Sequence, residues 1–152
     1  MNILLWSCQI LLAVVFLGSG ATKSTMSPER MIATGQTGTA MFPLGVVRFA
    51  ASTELLGAAG VTLPWLTGIA RFLTTTAAFG LCIVMIGAAW AHVRLGEPRS
   101  VAINAVLFAM CLFVAIGRLP ALAKSELDQE WDRRRPWNLE RRAIHTSAPR
   151  ER

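Results

Sequence analysis

Four long runs of apolar residues alternate with short polar segments along the chain. The runs cover about residues 3–21, 44–63, 72–91 and 101–117. A helix needs about 20 predominantly apolar residues to cross the hydrocarbon core of a bilayer. Each run is close to that length, and the segments between them are short. The pattern predicts an all-α membrane protein, a four-helix transmembrane bundle with up-and-down topology over residues 1–122.

Polar residues collect after the fourth run. Residues 124–152 hold eight of the 15 Lys and Arg residues and six of the nine Asp and Glu residues. Ser125 and Asp128 resemble a capping box, which predicts a short helix that ends before Pro136. We expect residues 123–152 to form a charged, mostly disordered cytoplasmic tail.

The overall composition supports a membrane protein over a nucleic-acid-binding one. Of all residues 53% are hydrophobic and 16% are charged, whereas soluble chains average about 25% charged residues. The net charge of +6 suggests nucleic acid at first, but the tail is mixed in sign and no basic stripe with aromatics stands elsewhere. We therefore expect the lipid bilayer as the partner and no nucleic acid.

The first run resembles a signal peptide only in part. Met1-Asn2 carries no Lys or Arg, and the apolar run exceeds the usual 7–15 residues of such a peptide, so we interpret it as a membrane span. With four spans both termini share one side. Basic residues number six on that side (Arg71, Arg118, Lys124, Arg133, Arg134, Arg135) and four on the other (Lys23, Arg30, Arg94, Arg99). The excess favours a multi-pass protein of the cell inner (plasma) membrane with cytoplasmic termini.

The second run contains an arginine and a glutamate. Each charge costs about 2.5–3.5 kcal/mol at the centre of a spanning helix. Arg48 is four residues from the end of the run and can reach the headgroups, but Glu54 is central and short. Arg48 and Glu54 lie about 120° apart around a helix and about 9 Å apart along it, so we expect the partner of Glu54 on another span.

Other spans offer several partners for Glu54. They are Lys23 at the end of the first span, His92 at the end of the third, and Asn104 and Arg118 on one face of the fourth. Small residues surround Glu54 on its own helix, and a second narrow face follows Ala77, Gly80, Val84, Gly87 and Ala91. Such faces allow helices to pack closely and would permit a homodimer.

Two interpretations of these polar residues remain open. In the first, Glu54, Arg48, Asn104 and Arg118 form a structural network that fixes the register of the helices. In the second, they line a buried site for a quinone, a small solute or a proton path, since ionisable groups inside membranes are commonly functional. For His92 alone a structural position at the interface is favoured.

The sequence carries no pattern of a metal or thiol site. Cys8, Cys82 and Cys111 lie inside apolar runs without a CxxC pair, as expected of small buried hydrophobes. His92 and His145 are too isolated to hold a metal ion. We therefore predict no metal site and no thiol–disulfide chemistry.

Short motifs in the four runs, taken in order, resemble the DoxX-like family of small four-helix integral membrane proteins. They are FLGSGATK from Phe16 to Lys23, Arg48 followed by ELLGAAGVTLP from Glu54 to Pro64, AWAHVRLGEP around His92, and Asn104 followed by Gly117-Arg118. Ala51 departs from the pattern, because a glycine is expected between the arginine and the glutamate. The resemblance covers residues 1 to about 120.

The resemblance implies an accessory or quinone-interacting subunit of a membrane redox system, with quinone as the candidate cofactor and a membrane redox protein as partner. Glu54 would be the buried acid, Arg48 and Arg118 would supply positive charge, and Asn104 would donate a hydrogen bond. The sequence shows no catalytic motif, so the chain would be at most a subunit of an oxidoreductase complex. The alternative is a non-enzymatic membrane scaffold or small-solute carrier.

Overall fold

The computed structural model describes residues 2–134, which form five α-helices and one short 3₁₀ helix. The α-helices are α1 (Asn2–Thr25), α2 (Pro28–Ala33), α3 (Leu44–Thr67), α4 (Phe72–Arg94) and α5 (Pro98–Arg134), and the 3₁₀ helix is Thr37–Met41. By length and apolar composition, α1, α3, α4 and the Pro98–Pro120 part of α5 could each cross a membrane. The predicted all-α four-helix membrane bundle is confirmed.

Glycines end two of the long helices where the chain turns back. Helix α3 ends at Thr67 and is followed by Gly68, whose φ is 76°, and α4 is followed closely by Gly96, whose φ is 69°. Glycine adopts this left-handed conformation without the steric penalty of a side chain. The connections after α3 and α4 are therefore very short, and consecutive long helices run antiparallel.

Two helices continue through a proline. The second apolar run predicts an end at Leu63, but α3 passes Pro64 and ends at Thr67. Pro64 lies in the last turn, so its missing N–H removes only one bond near the helix end, and neighbouring helices can compensate for such a loss in a membrane protein. Helix α5 likewise passes Pro120.

The carboxyl-terminal part of α5 belongs to a second compact unit that starts at Leu119, the first unit being Met1–Arg118. Within that second unit the described residues, 119–134, are helical, so the capping-box pattern at Ser125 begins no new helix. On this segment Glu130 pairs with Arg133 at 3.1 Å and with Arg134 at 2.6 Å. The rest of the predicted tail, 135–152, lies outside the described residues.

The core of the bundle draws apolar side chains from all four long helices. Helix α1 packs against α3, and α3 packs against α4. Buried core residues include Leu12 of α1, Val61 of α3, Leu81 of α4, and Cys111 and Val114 of α5. These side chains are fully or almost fully buried, so they hold the four helices together by close packing.

The outer surface of the bundle is apolar, unlike that of a soluble protein. Phe49, Leu56 and Ile83 are each 72% exposed, and many further Leu, Ile and Val side chains also point outward. Lipid tails solvate such side chains, whereas water would not. The bundle therefore presents its outer surface to the bilayer, as an integral membrane protein does.

Glycines bring α3 very close to both of its neighbours. A Cβ atom on Gly60 would lie 2.7 Å from the Cβ of Ala77 on α4, and one on Gly20 of α1 would lie 3.0 Å from the carbonyl oxygen of Ala51. Neither the Cβ of an alanine nor a backbone oxygen can move aside alone. Small residues at these crossings thus set the distances between the helices.

We expect Gly60→Ala to destabilise the bundle by about 1–3 kcal/mol, because the added methyl group forces α3 and α4 apart. Thermal unfolding of the purified protein in detergent measures the effect. Gly18→Ala is the matched control, since a Cβ at Gly18 meets no atom within 4 Å. Equal unfolding temperatures for the two variants would contradict the proposed close contact.

Candidate functional site

The buried carboxylate of Glu54 pairs with Lys23 of α1. Glu54 is fully buried, and its Oε1 atom lies 2.5 Å from the Nζ atom of Lys23. The Lys23 side chain is 16% exposed. Among the four partners considered from the sequence, Lys23 is the one that the fold brings to Glu54.

The direction of side chains on antiparallel helices explains why these two residues meet. Side chains lean toward the amino end of their own helix. On α1 this carries the Lys23 ammonium deeper into the bundle, away from the end of the helix. On α3 it carries the Glu54 carboxylate toward the end where Lys23 lies. The two charges therefore approach each other from opposite directions.

Arg48 supports α1 and makes no ion pair with Glu54. Its guanidinium donates hydrogen bonds to the carbonyl oxygens of Lys23 and, at 3.0 Å, of Met26. The first carbonyl lies in the last turn of α1, where the helix itself supplies no donors, and the second follows the helix directly. Arg48 thus closes the carboxyl end of α1 and holds the backbone from which Lys23 extends.

Arg118 lies at the other end of the bundle, among neutral residues of α1 and α3. Its Nε atom donates to Oε1 of Gln9 at 3.1 Å, its Nη2 atom donates to the same oxygen, and Nη1 reaches Asn2 at 3.2 Å. Its guanidinium carbon is 4.1 Å from the ring centre of Trp65. Arg118 is therefore not a partner of Glu54, because the helices are antiparallel and the two residues belong to different ends.

Gln9 is a buried partner of Arg118 that the sequence interpretation missed. Besides accepting from Arg118, it donates through Nε2 to the carbonyl oxygen of Val61 on α3. It is fully buried. A single amide in a run of 19 residues without any charge was a signal for such a contact.

His92 ties α4 to the connection between α1 and α3. Its Nδ1 atom is 2.7 Å from Oε2 of Glu97, which also accepts from the hydroxyl of Thr37 at 2.7 Å. These hydrogen bonds, with that from Thr37 the larger cause, lower the pKa of Glu97. As a carboxylate, Glu97 accepts from His92 Nδ1–H, while Nε2 faces the connection near Gly38.

Asn104 donates a hydrogen bond within its own helix. Its Nδ2 atom donates to the carbonyl oxygen of Ser100 at 2.8 Å, and the side chain is nearly buried. It does not contact Glu54 in any hydrogen bond. The position of Asn104 matters for a different reason, since it lines a cavity.

A cavity of about 870 Å³ opens among the long helices. Most of its lining is apolar and comes from α3 and α4, and α1 and α5 contribute further residues. The polar lining is formed by Lys23, Gln36, Thr39, His92 and Asn104, with Ser19, Thr53 and Thr76 along the walls. Glu54 is not part of the lining and lies behind Lys23, which it holds.

The small residues of α4 make room for this cavity. The sequence predicted that Ala77, Gly80 and Gly87 form a face for close helix packing. Ala77 does meet α3 at Gly60, but a Cβ on Gly80 or Gly87 would find no atom within 4 Å. Both glycines line the cavity, so the prediction of close packing was wrong for them.

The six candidates from the sequence thus separate into distinct groups. Lys23, His92 and Asn104 line the cavity, whereas Glu54 and Arg48 stand behind Lys23 and Arg118 lies at the far end of the bundle. Gln36 and Thr39, which the sequence interpretation missed, line the cavity from the connection before α3. Both residues lie in a polar segment that shows no helical pattern. The sequence therefore did not indicate that their side chains line a cavity.

Other chemistry is not assembled in the described part of the chain. Within residues 2–134 no three His, Cys, Asp or Glu side chains form a group that could hold a metal ion. Cys82 and Cys111 are buried as free thiols in the core. The arrangement is suited to binding through hydrogen bonds and apolar contact.

We expect Lys23→Met to lower the free energy of unfolding by about 3–5 kcal/mol, because it leaves the buried carboxylate without its cation. Glu54→Gln should have a smaller effect, since the Lys23 ammonium can turn toward the cavity. The double variant should regain part of what Lys23→Met loses. Unfolding of the full chain in detergent by a denaturant measures all three.

The control for the pair is Arg30→Met, since Arg30 is an exposed basic residue on α2. It should leave the stability unchanged. A Glu54→Gln variant less stable than Lys23→Met, or a double variant that shows purely additive losses, would contradict the dependence of Glu54 on Lys23.

We expect the carboxyl group of Glu97 to titrate below its ordinary value of 4.5. Because its pKa is lowered in the folded protein, the contact with Thr37 stabilises the fold above pH 4.5 and is lost as the pH falls through the lowered pKa. NMR titration of labelled carboxyl groups measures it. Thr37→Val should raise the midpoint toward 4.5.

Thr34→Val is the control for this titration, because the Thr34 hydroxyl bonds only to carbonyl oxygens of its own helix. It should leave the Glu97 midpoint in place. A Glu97 midpoint of 4.5 or higher in the unmodified protein would show that the hydrogen bonds from Thr37 and His92 do not lower its pKa.

Comparison with known proteins agrees with the fold. The sequence profile of the DoxX-like family matches residues 7–114, a range that reaches all four long helices and includes every candidate residue except Arg118. No curated protein and no solved structure gives a significant match. Since the family match covers well over half of the chain and the fold is a four-helix membrane bundle, the protein belongs to the DoxX-like family.

Proposed function

We propose that the protein binds a quinone-type amphiphile in the cavity and acts as an accessory, quinone-interacting subunit of a membrane redox system. The observation that carries this proposal is the arrangement of the cavity. It is mostly apolar, and the ammonium of Lys23, held by the buried Glu54, faces it. An apolar site with a few fixed polar groups is typical of small-molecule binding.

The size of the cavity suits such a ligand. About 870 Å³ lies within the range of roughly 300–1,000 Å³ found for ligand sites. A quinone ring with several carbons of its tail fits that volume. Since Gly80 and Gly87 leave open space on α4, the flat ring can lie against the helix backbone.

The lining also offers a path from the bilayer. Phe49, Leu56, Ile83 and Ile103 line the cavity and are at the same time strongly exposed. Exposed side chains of a spanning helix contact lipid tails, so the cavity opens sideways. A lipid-soluble ligand can therefore enter from the membrane without crossing water.

The polar groups match the two forms of a quinone. The ammonium of Lys23 has N–H groups besides the one it donates to Glu54, and a quinone carbonyl oxygen can accept from them. Gln36 Oε1 is buried without a hydrogen-bond partner and is an acceptor for the hydroxyl of a quinol. The chain thus supplies binding and orientation for the head group, and a partner protein would supply the electrons.

The second candidate is a non-enzymatic scaffold or a small-solute carrier. The polar cluster would then only fix the helices, through hydrogen bonds such as those of Arg48 and Gln9 to backbone carbonyl oxygens. The apolar lining disfavours a polar solute, and the open space at Gly80 disfavours a filled scaffold. The scaffold role remains the outcome if no ligand binds.

Location and assembly follow as parts of the proposal. The excess of basic residues at the end with the termini supports the inner membrane with cytoplasmic termini. The orientation can be tested with a reporter enzyme that is active only outside the cytoplasm, fused after Arg152. Activity of this reporter would contradict cytoplasmic termini. A redox protein is the proposed partner, and a homodimer is the alternative assembly.

We expect the full chain, in lipid nanodiscs free of quinone, to bind a short-chain quinone such as decylubiquinone saturably. Gly80→Leu should weaken binding at least about tenfold, because a leucine side chain occupies the cavity. Native mass spectrometry of the titrated nanodiscs measures the bound fraction. Gly18→Leu is the control, since Gly18 has open space but does not line the cavity.

Binding that does not saturate in the unmodified protein, or equal binding by the Gly80→Leu and Gly18→Leu variants, would reject the cavity as the site. If binding is lost in Gly80→Leu and kept in Lys23→Met, the tail is recognised without the head group. The proposed role of Lys23 would then be wrong.

A further inference from the structure

A second cluster of positive charge lies at the end of the bundle opposite Lys23. Its centre is the indole of Trp65 near the end of α3. The guanidinium carbon of Arg118 is 4.1 Å from the ring centre, and that of Arg71, in the turn before α4, is 5.1 Å from it. Two cations therefore share one aromatic ring.

The ion pairs that the structure describes join Lys23 to Glu54, His92 to Glu97, and Arg133 and Arg134 to Glu130. Neither Arg71 nor Arg118 takes part in any of these pairs. Arg118 is 1% exposed, and its acceptors, Gln9 and Asn2, are neutral. A buried cation with only neutral acceptors is expensive in a membrane protein.

Two hydrogen-bond donors of the cluster also favour a bound anion. The Nε atom of Arg71 and the indole Nε1 of Trp65 are buried and have no acceptor in the described chain. Both are N–H groups that can only donate. The cluster thus has unpaired N–H donors together with uncompensated positive charge. Such a cluster is complementary to an anion.

The helix ends strengthen this complementarity. The amino ends of α1, at Asn2, and of α4, next to Arg71, both lie here, and amino ends carry partial positive charge. Arg71 occupies the N-cap position of α4 without a side-chain cap hydrogen bond, where a cation is unfavourable and an anion is favoured. The carboxyl end of α3 at Thr67 offsets this only in part.

We propose that Arg71, Arg118 and the Trp65 indole bind the phosphate group of an anionic phospholipid headgroup. Asn2 is exposed, and Arg71 and Trp65 are half-buried, so the cluster is reachable at the membrane surface. Arg71 contacts the phosphate directly, with Trp65 Nε1–H as second donor. Arg118 supplies charge from inside the bundle. Basic pockets between spanning helices recognise such lipids elsewhere.

The lipid site is independent of the proposed quinone site, because the two use different residues at opposite ends of the bundle. The matched control comes from the other end, where Arg94 lies 5.2 Å from the ring centre of Trp90. This pair repeats the contact of arginine with tryptophan on an exposed surface. It lacks a buried second arginine.

The test uses the full chain, delipidated in mild detergent and titrated with phosphatidylglycerol or phosphatidylcholine. Native mass spectrometry counts bound lipid, and thermal unfolding follows stability. Both lipids carry a phosphate, but the two arginines repel the choline cation of phosphatidylcholine, so we expect phosphatidylglycerol to bind at least about tenfold more tightly. Arg71→Gln should remove this preference, and Arg94→Gln should keep it.

Equal binding of the two lipids, or equal loss in the Arg71→Gln and Arg94→Gln variants, would overturn the proposal. A further arm adds inorganic phosphate alone. If phosphate stabilises the protein fully and no lipid is retained, the site takes a free anion and the lipid assignment is wrong. Trp65→Phe, which keeps the ring and removes Nε1–H, should weaken phosphatidylglycerol binding without unfolding the protein.

Discussion

A carboxylate at the centre of a membrane-spanning helix must be neutralised inside the protein, and in this chain the ammonium of Lys23 does so. Both residues lie where antiparallel helices lean their side chains toward each other. The pair fixes α1 against α3 in both register and rotation, because a shift of either helix by one residue would separate the charges. Arg48 reinforces the same contact by holding the end of α1. The position of Lys23, and with it the polar end of the cavity, is therefore set by these contacts.

The two ends of the bundle differ in the partners of their buried charged groups. At the Lys23 end an acid and a base neutralise each other, and His92 and Glu97 repeat this at the surface. At the Arg118 end amides and an indole ring surround the cation without neutralising it. At the first end the fully buried carboxylate of Glu54 is neutralised by Lys23, whereas at the second end the fully buried guanidinium of Arg118 has only neutral acceptors. This asymmetry distinguishes what each end can bind.

Much of the fold followed from the sequence, because the length of an apolar run and the need to satisfy backbone groups leave few choices in a membrane. The continuation of α3 through Pro64 did not follow, since a proline in a last turn costs little and local rules place a boundary there. The need for a partner of Glu54 also followed from energetics. Which cation would meet it depended on helix rotation, and a single sequence does not fix the rotation of four similar helices. Gly80 and Gly87 show the same limit, because glycine permits close packing and empty space equally well.

The sideways opening of the cavity has a consequence for how any occupant is selected. A ligand that arrives through the bilayer is first concentrated there, and each methylene of its tail contributes about 0.8 kcal/mol to that partition. The concentration at Phe49 and Ile83 is then set by solubility in lipid, far above the concentration in water. A site of modest intrinsic strength is consequently filled by abundant membrane-soluble molecules. Discrimination among them falls to the few polar groups at one end of the cavity.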